Sequence, residues 1–308
     1  MGFGRWWRCV KVDKPQCLTI NTSPQNPTPK TLYKSTNPMI RYPNAKINIG
    51  LRVVRRREDG FHELESGFVP VSWCDILEII PGGPFQFSVS GIAIPGEAEG
   101  NLCVKAYELL RREFDLAPVQ MHLHKIIPIG AGLGGGSSDG AFALKMLNEL
   151  FSLSLDETTL AGYAAQLGSD CPFFIANQPA MAYGTGDQLE PLSLDLSGKT
   201  LVLVKPSVSV STADAYRDIT PQPPNGSLKD VLETVPMAAW KEVVTNDFEK
   251  TVFAQYPELT AIKQTLYQHG AAYASMSGSG STVYGLFVQP PASLVAVFGQ
   301  CEVYQTTL

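Results

Sequence analysis

The chain has 308 residues, of which 44% are apolar and 17% charged, and a formal net charge of −5. This length permits one large domain or two smaller domains that share a cleft. Residues 1–38 carry +5, so the remaining residues carry −10, and such an acidic body lacks the basic surface that nucleic-acid binding needs.

The cysteines and the apolar runs exclude further classes of protein. None of the six cysteines forms a C-x-x-C pair, which favours reduced thiols in a cytoplasmic protein over a disulfide framework or a zinc site. Every apolar run is shorter than the roughly 18 residues of a membrane-spanning helix, and no stretch resembles a secretory signal. We therefore expect a cytoplasmic protein that binds no membrane and no nucleic acid.

Residues 1–38 are rich in Ser, Thr, Asn, Pro and basic residues and show no apolar period, which predicts a disordered or extended segment. One interpretation is a transit peptide, because the segment is basic and poor in acids. The other is a non-native upstream extension, because Met39 stands directly before the first patterned strand. We favour the second, since the arginine-rich amphipathic period of a targeting helix is missing.

The first patterned segment alternates from about Ala45 and predicts a strand. Lys46 and Asn48 are two residues apart and share one strand face, which favours a polar pocket there. Asp59-Gly60 predicts a hairpin turn. Further strand is predicted over residues 66–80 and a strand pair over residues 84–95.

Asn101 is predicted to be the N-cap of a helix, and residues 119–125 alternate as a half-buried strand. The next segment, residues 128–139, has the sequence PIGAGLGGGSSD, and apolar residues at helical spacing follow to Leu150. Glycines let the backbone approach a ligand, and the N–H groups and dipole of the following helix attract anions. This order of strand, glycine loop and helix predicts a phosphate site, in which Ser137 or Ser138 caps the helix, binds phosphate or holds a metal.

Other kinds of glycine loop fit the sequence less well. Residues 130–135 match G-x-G-x-x-G, but a dinucleotide fold needs a second strand ending in an acid about 20 residues later. That interval holds the helix and then a helix N-cap signal at residues 152–159. A P-loop needs Lys after its last glycine, whereas Ser137 follows Gly136. A plain turn does not need five glycines in nine positions, residues 128–136.

The remaining pattern, P-x-x-x-G-L-x-x-x-S-S at residues 128–138, resembles the phosphate loop of the GHMP kinases, which bind ATP without a loop lysine. The triple-glycine form is similar to the members that act on a cytidine diphosphate-linked methylerythritol in non-mevalonate isoprenoid synthesis. The resemblance implies ATP with Mg²⁺, but no particular metal ligands. The residues that it implies for ATP binding are Pro128, Ile129, Gly130, Ala131, Gly132, Leu133, Gly134, Gly135, Gly136, Ser137 and Ser138 in the loop, with Asn101 and Lys125 near the base.

Two further motifs extend the resemblance towards the acceptor. Residues 43–51 resemble the family's P-A-K-x-N-x-x-L, and residues 57–64 resemble its R-x-D-G-Y-H-x-L. The implied substrate-binding residues are Asn48, Phe61, His62, Thr212 and Tyr216. Of these, His62 would bond the cytosine, while Phe61, in place of the family's Tyr, and Tyr216 would stack on it. Core packing explains Tyr216 equally well.

Residues 167–174, LGSDCPFF, match the family's catalytic segment L-G-x-D-x-P-F-F. The match implies that Asp170 is the general base and that Lys46 lies against it. Alternatively, Asp170 caps the next short helix, with Pro172 in its first turn. We interpret Asp139 as a helix-terminal acid, favoured by the helix dipole and placed where it could lie near the metal, and not as the base.

In the C-terminal half we predict a strand over residues 199–206, helices over 228–235, 238–253 and 257–270, and a second glycine loop at 275–281 followed by a strand. The family carries such a loop as its third motif. The resemblance, over about residues 39–287, implies an α+β two-domain GHMP kinase fold. An ATP-binding domain like ribosomal protein S5 domain 2 would span residues 39–185, and a ferredoxin-like domain residues 186–308.

The implied activity is ATP-dependent phosphorylation of the 2-hydroxyl of the methylerythritol unit, by a monomer or weak homodimer. The alternatives are a GHMP kinase for another small alcohol and a catalytically silent metabolite sensor. The segment Asp59–His62 disfavours the first, since such a kinase has no cytosine to bind. Asp170 and Lys46 disfavour the second.

Overall fold

The computed structural model describes Cys17, Leu18, Tyr33, residues 37–217 and residues 219–308. The prediction for residues 1–38 therefore lies almost entirely outside the described residues. The described strands are β1 (Cys17–Leu18), β2 (Met39–Arg41), β3 (Asn44–Arg56), β4 (His62–Cys74), β5 (Ile76–Pro81), β6 (Gln86–Gly91), β7 (Val119–Lys125), β8 (Ala180–Tyr183), β9 (Gln188–Pro191), β10 (Thr200–Lys205), β11 (Tyr273–Met276), β12 (Val283–Phe287) and β13 (Glu302–Thr307).

The helices lie between these strands, as expected for an α+β fold. They are α1 (Leu102–Phe114), α2 (Gly135–Phe151), α3 (Glu157–Leu167), α4 (Phe173–Ala176), α5 (Thr212–Tyr216), α6 (Leu228–Thr234), α7 (Trp240–Val243), α8 (Phe248–Gln255) and α9 (Pro257–Gln268), with short 3₁₀ turns at Ala98–Gly100 and Met237–Ala239. Within the described part of the chain, no helix combines the length and the apolar character that a membrane crossing requires.

The N-terminal half contains two sheets, with strand orders β1-β6-β7-β5-β2 and β3-β4-β8-β9. The long hairpin β3–β4 turns where predicted: Arg56 pairs with His62, and Gly60 has a φ of +86°. Its strand β3 buries Ile47 and Ile49 completely in the core. The apolar alternation of the sequence thus fixes which face of β3 is left for polar side chains.

The strand pattern over residues 66–80 belongs to two strands in different sheets, because the chain leaves one sheet at Asp75. This carboxylate is fully buried, and its Oδ1 accepts the N–H groups of Ile126 and Ile127 at 2.5 and 2.8 Å. Asp75 thereby joins the end of β4 to the segment that leads into the glycine loop.

The strand pair predicted over residues 84–95 is wrong, since the structure forms a single strand there, β6. Gly91 ends it with a φ of +80°, and a Cβ at this position would lie 2.2 Å from the carbonyl oxygen of Lys125. The chain turns away from the sheet, and α1 connects β6 to its parallel neighbour β7.

Helices α1 and α2 cover one face of the β5–β7 region. Asn101 caps α1 as predicted, accepting the N–H of Cys103. On α2 the apolar spacing buries Leu144 and Leu147 completely, in the same cluster as Leu123 of β7. This packing holds the start of α2 at the end of β7, where the glycine loop lies.

The C-terminal sheet has the order β11-β12-β10-β13 with antiparallel pairing throughout. This is the ferredoxin-like order that the resemblance implies. The edge strand β13 was not predicted, because its sequence EVYQTT has the weak apolar content of a strand that is half exposed. The domain boundary between residues 185 and 186 stays a prediction. It falls between β8 and β9, which pair with each other in one sheet.

The single helix predicted over residues 238–253 is wrong. The chain forms α7 and α8, separated by a bridge to β3: Leu51 donates its N–H to Thr245 O, and Asp247 donates its N–H to Leu51 O. Asn246 sits in this break and donates to the carbonyl oxygens of Met276 and Gly278, at 2.8 Å each. The interruption ties β3 to the second glycine loop.

Two valines in the helices beside this break provide a matched test of core packing. Val252 of α8 is 1% exposed, whereas Val243 of α7 is 45% exposed. Val252→Ala should lower the free energy of unfolding by about 2 kcal/mol, since buried methyl groups are lost and a cavity remains. Val243→Ala should change it by less than about 0.5 kcal/mol. Urea unfolding followed by circular dichroism measures both, and equal effects would contradict the assigned core.

Candidate active site

The glycine loop crosses from β7 to α2 and packs against the second glycine loop. Gly132 has a φ of +75°, and a Cβ there would lie 2.0 Å from the carbonyl oxygen of Ser277. Gly134, with a φ of +69°, is the N-cap of α2. Glycine is needed at the first position for the close approach and at both for the backbone conformation.

The two serines lie inside the first turn of α2, so the option that either of them caps the helix is wrong. The Ser138 hydroxyl is completely buried and has no hydrogen-bond partner within the described structure. Ser137 is half-buried and lines the space on both sides of the loop. Ser137 is therefore the serine that a phosphate can reach.

Two clefts meet at the glycine loop. One, of about 320 Å³, is lined by all of residues 128–137 and by Asn101, Lys125 and Asp139. The other, of about 480 Å³, contains Lys46 and Asp170. The residues that line both are Leu102, Gly130, Gly132, Gly134 and Ser137. A group held at the loop is thus accessible from either side.

The structure brings Lys46 and Asp170 together, with Nζ and Oδ2 separated by 3.2 Å. Lys46 is 4% exposed and also donates to Asn48 Oδ1 at 2.6 Å. Its backbone N–H donates to Leu133 O at 2.9 Å, which fixes β3 against the glycine loop. Asp170 does not cap α4, whose N-cap is Pro172 without a side-chain bond. Its carboxylate remains available to a ligand in the larger cleft.

Lys125 is buried between two carboxylates beneath the loop. Its Nζ donates to Asp75 Oδ2 at 2.5 Å and to Asp139 Oδ2 at 2.7 Å. Burial lowers the pKa of Lys125, but the charges of Asp139 and Asp75 outweigh it, so the net shift is upward. Burial raises the pKa of Asp139 well above its usual range, against the charge of Lys125. Asp139 is thus a buried partner of Lys125. It lies in the second turn of α2, whereas we expected an acid at the very start of the helix.

Only some of the residues that the resemblance implies for cytidine binding lie at the larger cleft. His62 stacks on Tyr216 with ring centroids 4.6 Å apart, and Tyr216 lines the larger cleft. Thr212 lines it too, with its hydroxyl 3.3 Å from that of Ser279. Phe61 is 64% exposed and is not among the residues that line either cleft. Burial raises the pKa of Tyr216 to about 12.

Some lining residues were not singled out in the sequence. Phe68 lies under Lys46, with its ring centroid 4.6 Å from Nζ. Gly186 faces Asp170, since a Cβ there would lie 3.8 Å from Oδ1. Ser66 also lines this cleft. Strand pairing of β4 with β3 and β8 places Ser66 and Phe68, and no local motif marks them.

The sequence matches two family models, the GHMP kinases N terminal domain over residues 101–185 and the GHMP kinases C terminal domain over residues 232–301. Both matches fall on the halves that carry the two glycine loops. Together with the fold and the shared clefts, they define a small-molecule kinase of the GHMP type. The mevalonate kinase of Methanococcus jannaschii, at 12% identity and a TM-score of 0.64 over 88% of this chain and 99% of that one, shares the fold.

More similar proteins narrow the family. The 4-diphosphocytidyl-2-C-methyl-D-erythritol kinase of Bacteroides fragilis is 53% identical over 253 residues, 81% of this chain and 92% of that protein. The kinase of the same name from Cytophaga hutchinsonii is 47% identical over 82% of this chain and 94% of that protein. A crystal structure of a 4-(cytidine 5'-diphospho)-2C-methyl-D-erythritol kinase matches at 32% identity and a TM-score of 0.73, covering 87% of this chain and 98% of that chain. The chain belongs to this kinase family.

The histidine of the site provides a test of its electrostatics. Burial, and secondarily the charge of Arg56, lower the pKa of His62 below its usual 6.5. His62 should therefore be neutral at pH 7 and gain a proton only at lower pH. In an NMR titration, its imidazole signal, assigned by its loss in His62→Gln, should titrate below pH 6.5. Arg56→Gln should move that titration upward, and a downward shift would contradict the assigned cause.

Proposed function

We propose that this kinase transfers the γ-phosphoryl group of ATP to the 2-hydroxyl of 4-diphosphocytidyl-2-C-methyl-D-erythritol. The observation that carries the proposal is the contact of Lys46 with Asp170 in a cleft that shares its glycine loop with a second cleft. The names of the relatives support the choice of acceptor. ATP would occupy the smaller cleft, with Asn101 towards the base and residues 128–137 around the phosphates. Lys125, which the resemblance placed near the base, lies instead beneath the loop, bonded to Asp139.

Asp170 takes the proton of the acceptor hydroxyl in this proposal. The hydroxyl oxygen forms a bond to the γ-phosphorus, the bond from that phosphorus to the β–γ bridging oxygen breaks, and ADP leaves. Lys46, 3.2 Å from Asp170, stabilises negative charge on the attacking oxygen. Holding the two substrates in line on either side of the loop supplies most of the acceleration, as expected for phosphoryl transfer.

The oxygen donors beside the loop fit Mg²⁺. Ser137 and Asp139 line the smaller cleft, and Asp139 Oδ1 has no hydrogen-bond partner within the described structure. Hydroxyl and carboxylate oxygens suit this hard cation, which proteins commonly hold with few side chains and substrate phosphates. The described residues contain no group of three His, Cys, Asp or Glu side chains arranged for a metal, so ATP would supply further ligands. We propose that Ser137 and Asp139 hold the ion, which would neutralise phosphate charge.

Tyr216 offers the aromatic surface for the cytosine. His62 covers one face of its ring, and Phe248 packs against it edge to face. The base stacks on Tyr216 once the His62 ring turns aside, and the displaced imidazole then bonds the edge of the base. Thr212 lines the same cleft. Phe61 contributes to stacking only if the exposed turn that carries it folds over the base.

The thiols agree with a reducing compartment. Cys74, Cys103, Cys171 and Cys301 are free, and burial raises the pKa of Cys171 to about 11. They support the proposal that the reaction takes place in the cytoplasm. A monomer or weak homodimer stays a prediction.

The proposed base is tested by Asp170→Asn, which keeps the size of the side chain but cannot accept the proton. The kcat on 4-diphosphocytidyl-2-C-methyl-D-erythritol should fall by a factor of at least about 10². Glu149→Gln, the same chemical change at a carboxylate that is 59% exposed, should leave kcat unchanged. A coupled ADP-release assay measures both.

The same assay on mevalonate, homoserine and galactose tests the choice of acceptor. Activity on the cytidine compound alone is the expected result. Turnover of another acceptor would contradict the cytidine assignment, and ATP binding without any turnover would indicate a sensor.

The aromatic surface is tested by Tyr216→Ala, with Tyr216→Phe as the matched control. Base stacking on an aromatic ring is worth about 1–3 kcal/mol, so Tyr216→Ala should raise the KM for the cytidine substrate by about tenfold or more. The KM for ATP should not change. Tyr216→Phe keeps the ring and should behave like the unmodified protein. An equal rise for both variants would place the effect in the phenol hydroxyl instead.

A further inference from the structure

A line of hydrogen bonds runs from Lys46 along the β3–β4 wall of the larger cleft, which Asn48 and Ser66 also line. Lys46 Nζ donates to Asn48 Oδ1 at 2.6 Å, and Asn48 Nδ2 donates to Ser66 Oγ at 2.9 Å. Ser66 Oγ in turn donates to the carbonyl oxygen of Gly50 at 2.6 Å. Lys46, Asn48 and Ser66 are 4%, 3% and 1% exposed, so bulk water scarcely competes for these bonds.

The direction of donation along this line is fixed at both ends. An ammonium group can only donate, and a backbone carbonyl can only accept. The single hydroxyl hydrogen of Ser66 is used on Gly50 O, so its oxygen accepts from Asn48. The Asn48 amide must then turn its Nδ2 towards Ser66 and its Oδ1 towards Lys46. With the amide turned over, Nδ2 would face the ammonium, donor against donor, and Asn48 would hold Lys46 no longer.

The carbonyl that ends the line is available because of an irregularity in β3. The pairing with β4 shifts register between Ile49 and Leu51, and Gly50 has a φ of +68°. A carbonyl at such a bulge is not used by the regular ladder. Gly50 O is therefore free to accept the Ser66 hydroxyl, while Leu51 opposite Ser66 resumes the pairing.

We propose that Ser66 is a positioning residue of the kinase: it sets the orientation of the Asn48 amide, which holds the Lys46 ammonium against Asp170. The inference rests on the roles proposed above for Lys46 and Asp170. Ser66 makes no hydrogen bond to either of them in the described structure. Asn48 is the residue that connects it to Lys46 by hydrogen bonds in the described structure.

Ser66→Ala removes the hydroxyl and leaves the strand pairing intact. We expect kcat to fall by about tenfold or more, since small displacements of catalytic groups are costly, while the KM values for ATP and the cytidine substrate stay within about twofold of the original. Ser72→Ala is the matched control, because Ser72 is exposed on the same strand and its hydroxyl bonds the hydroxyls of Thr306 and Tyr304. Ser66→Thr keeps the hydroxyl on a residue suited to strands and should retain kcat within about threefold.

A double-mutant cycle separates positioning from a general structural role. If Ser66 acts through Asn48, then Ser66→Ala should slow the Asn48→Ala variant by less than about twofold. Thermal unfolding of each variant establishes that the protein is folded at the assay temperature. A Ser66→Ala kcat within twofold of the original, an undiminished loss in the Asn48→Ala background, or a Ser66→Thr loss as large as that of Ser66→Ala would each overturn the proposal.

The outcome is distinguishable from failure of the proposed function. Full activity in Asp170→Asn would contradict the role of Asp170 as the base, and Lys46 would then have no proposed partner against which to be positioned. Loss of activity in Asp170→Asn together with full activity in Ser66→Ala would keep the proposed chemistry and overturn only the role of Ser66.

Discussion

The contact between the two glycine loops is the constraint on which the site depends. Gly132 approaches the Ser277 backbone more closely than any side chain would allow. The Ser277 hydroxyl donates to Gly132 O at 2.8 Å and accepts the N–H of Asn48 at 3.2 Å. One serine therefore joins the glycine loop of the first half, the second glycine loop of the other half, and the strand that carries Lys46. Each depends on the others for its position.

The buried charges of the site lie where backbone packing makes them tolerable. Strand β3 directs Ile47 and Ile49 into the core and Lys46 and Asn48 to the opposite face. An isolated ammonium buried this deeply would be very unfavourable. Lys46 has Asp170, Asn48 and the Phe68 ring around it. Apolar alternation thus does two things at once, since it builds the core and leaves one protected polar face.

The sequence predicted much of the fold, and the reasons for the errors are physical. Hydrophobic period located β3, β7, β10, α2 and α9, and cap chemistry located the starts of α1 and α3. The break between α7 and α8 was not predicted, because the composition of the segment is that of a helix. The Asn246 side chain instead donates hydrogen bonds to backbone carbonyls of the distant second glycine loop. Tertiary hydrogen bonds of this kind leave no local pattern.

Only the family motifs predicted that Lys46 and Asp170 lie close together. The two residues are 124 positions apart in sequence, so no local pattern could indicate the contact. The role of Ser66 could not be expected. Counting outward from the turn at Asp59-Gly60 assigns the wrong partners along the hairpin, because register shifts occur near Gly50 and between Val53 and Arg55. Likewise, the family motif predicts that Phe61 stacks on the cytosine. It does not predict that the side chain is exposed, because the exposure depends on the geometry of the turn.

The loop shared by the two clefts has a stereochemical consequence. In the proposed reaction, a donor in the smaller cleft and an acceptor in the larger cleft meet at the loop residues that line both clefts. That reaction would pass the phosphoryl group once, directly, within a ternary complex and without a covalent enzyme intermediate. A single in-line displacement inverts the configuration at phosphorus. The arrangement of the clefts therefore determines the handedness of the product when the transferred phosphoryl group is made chiral with oxygen isotopes.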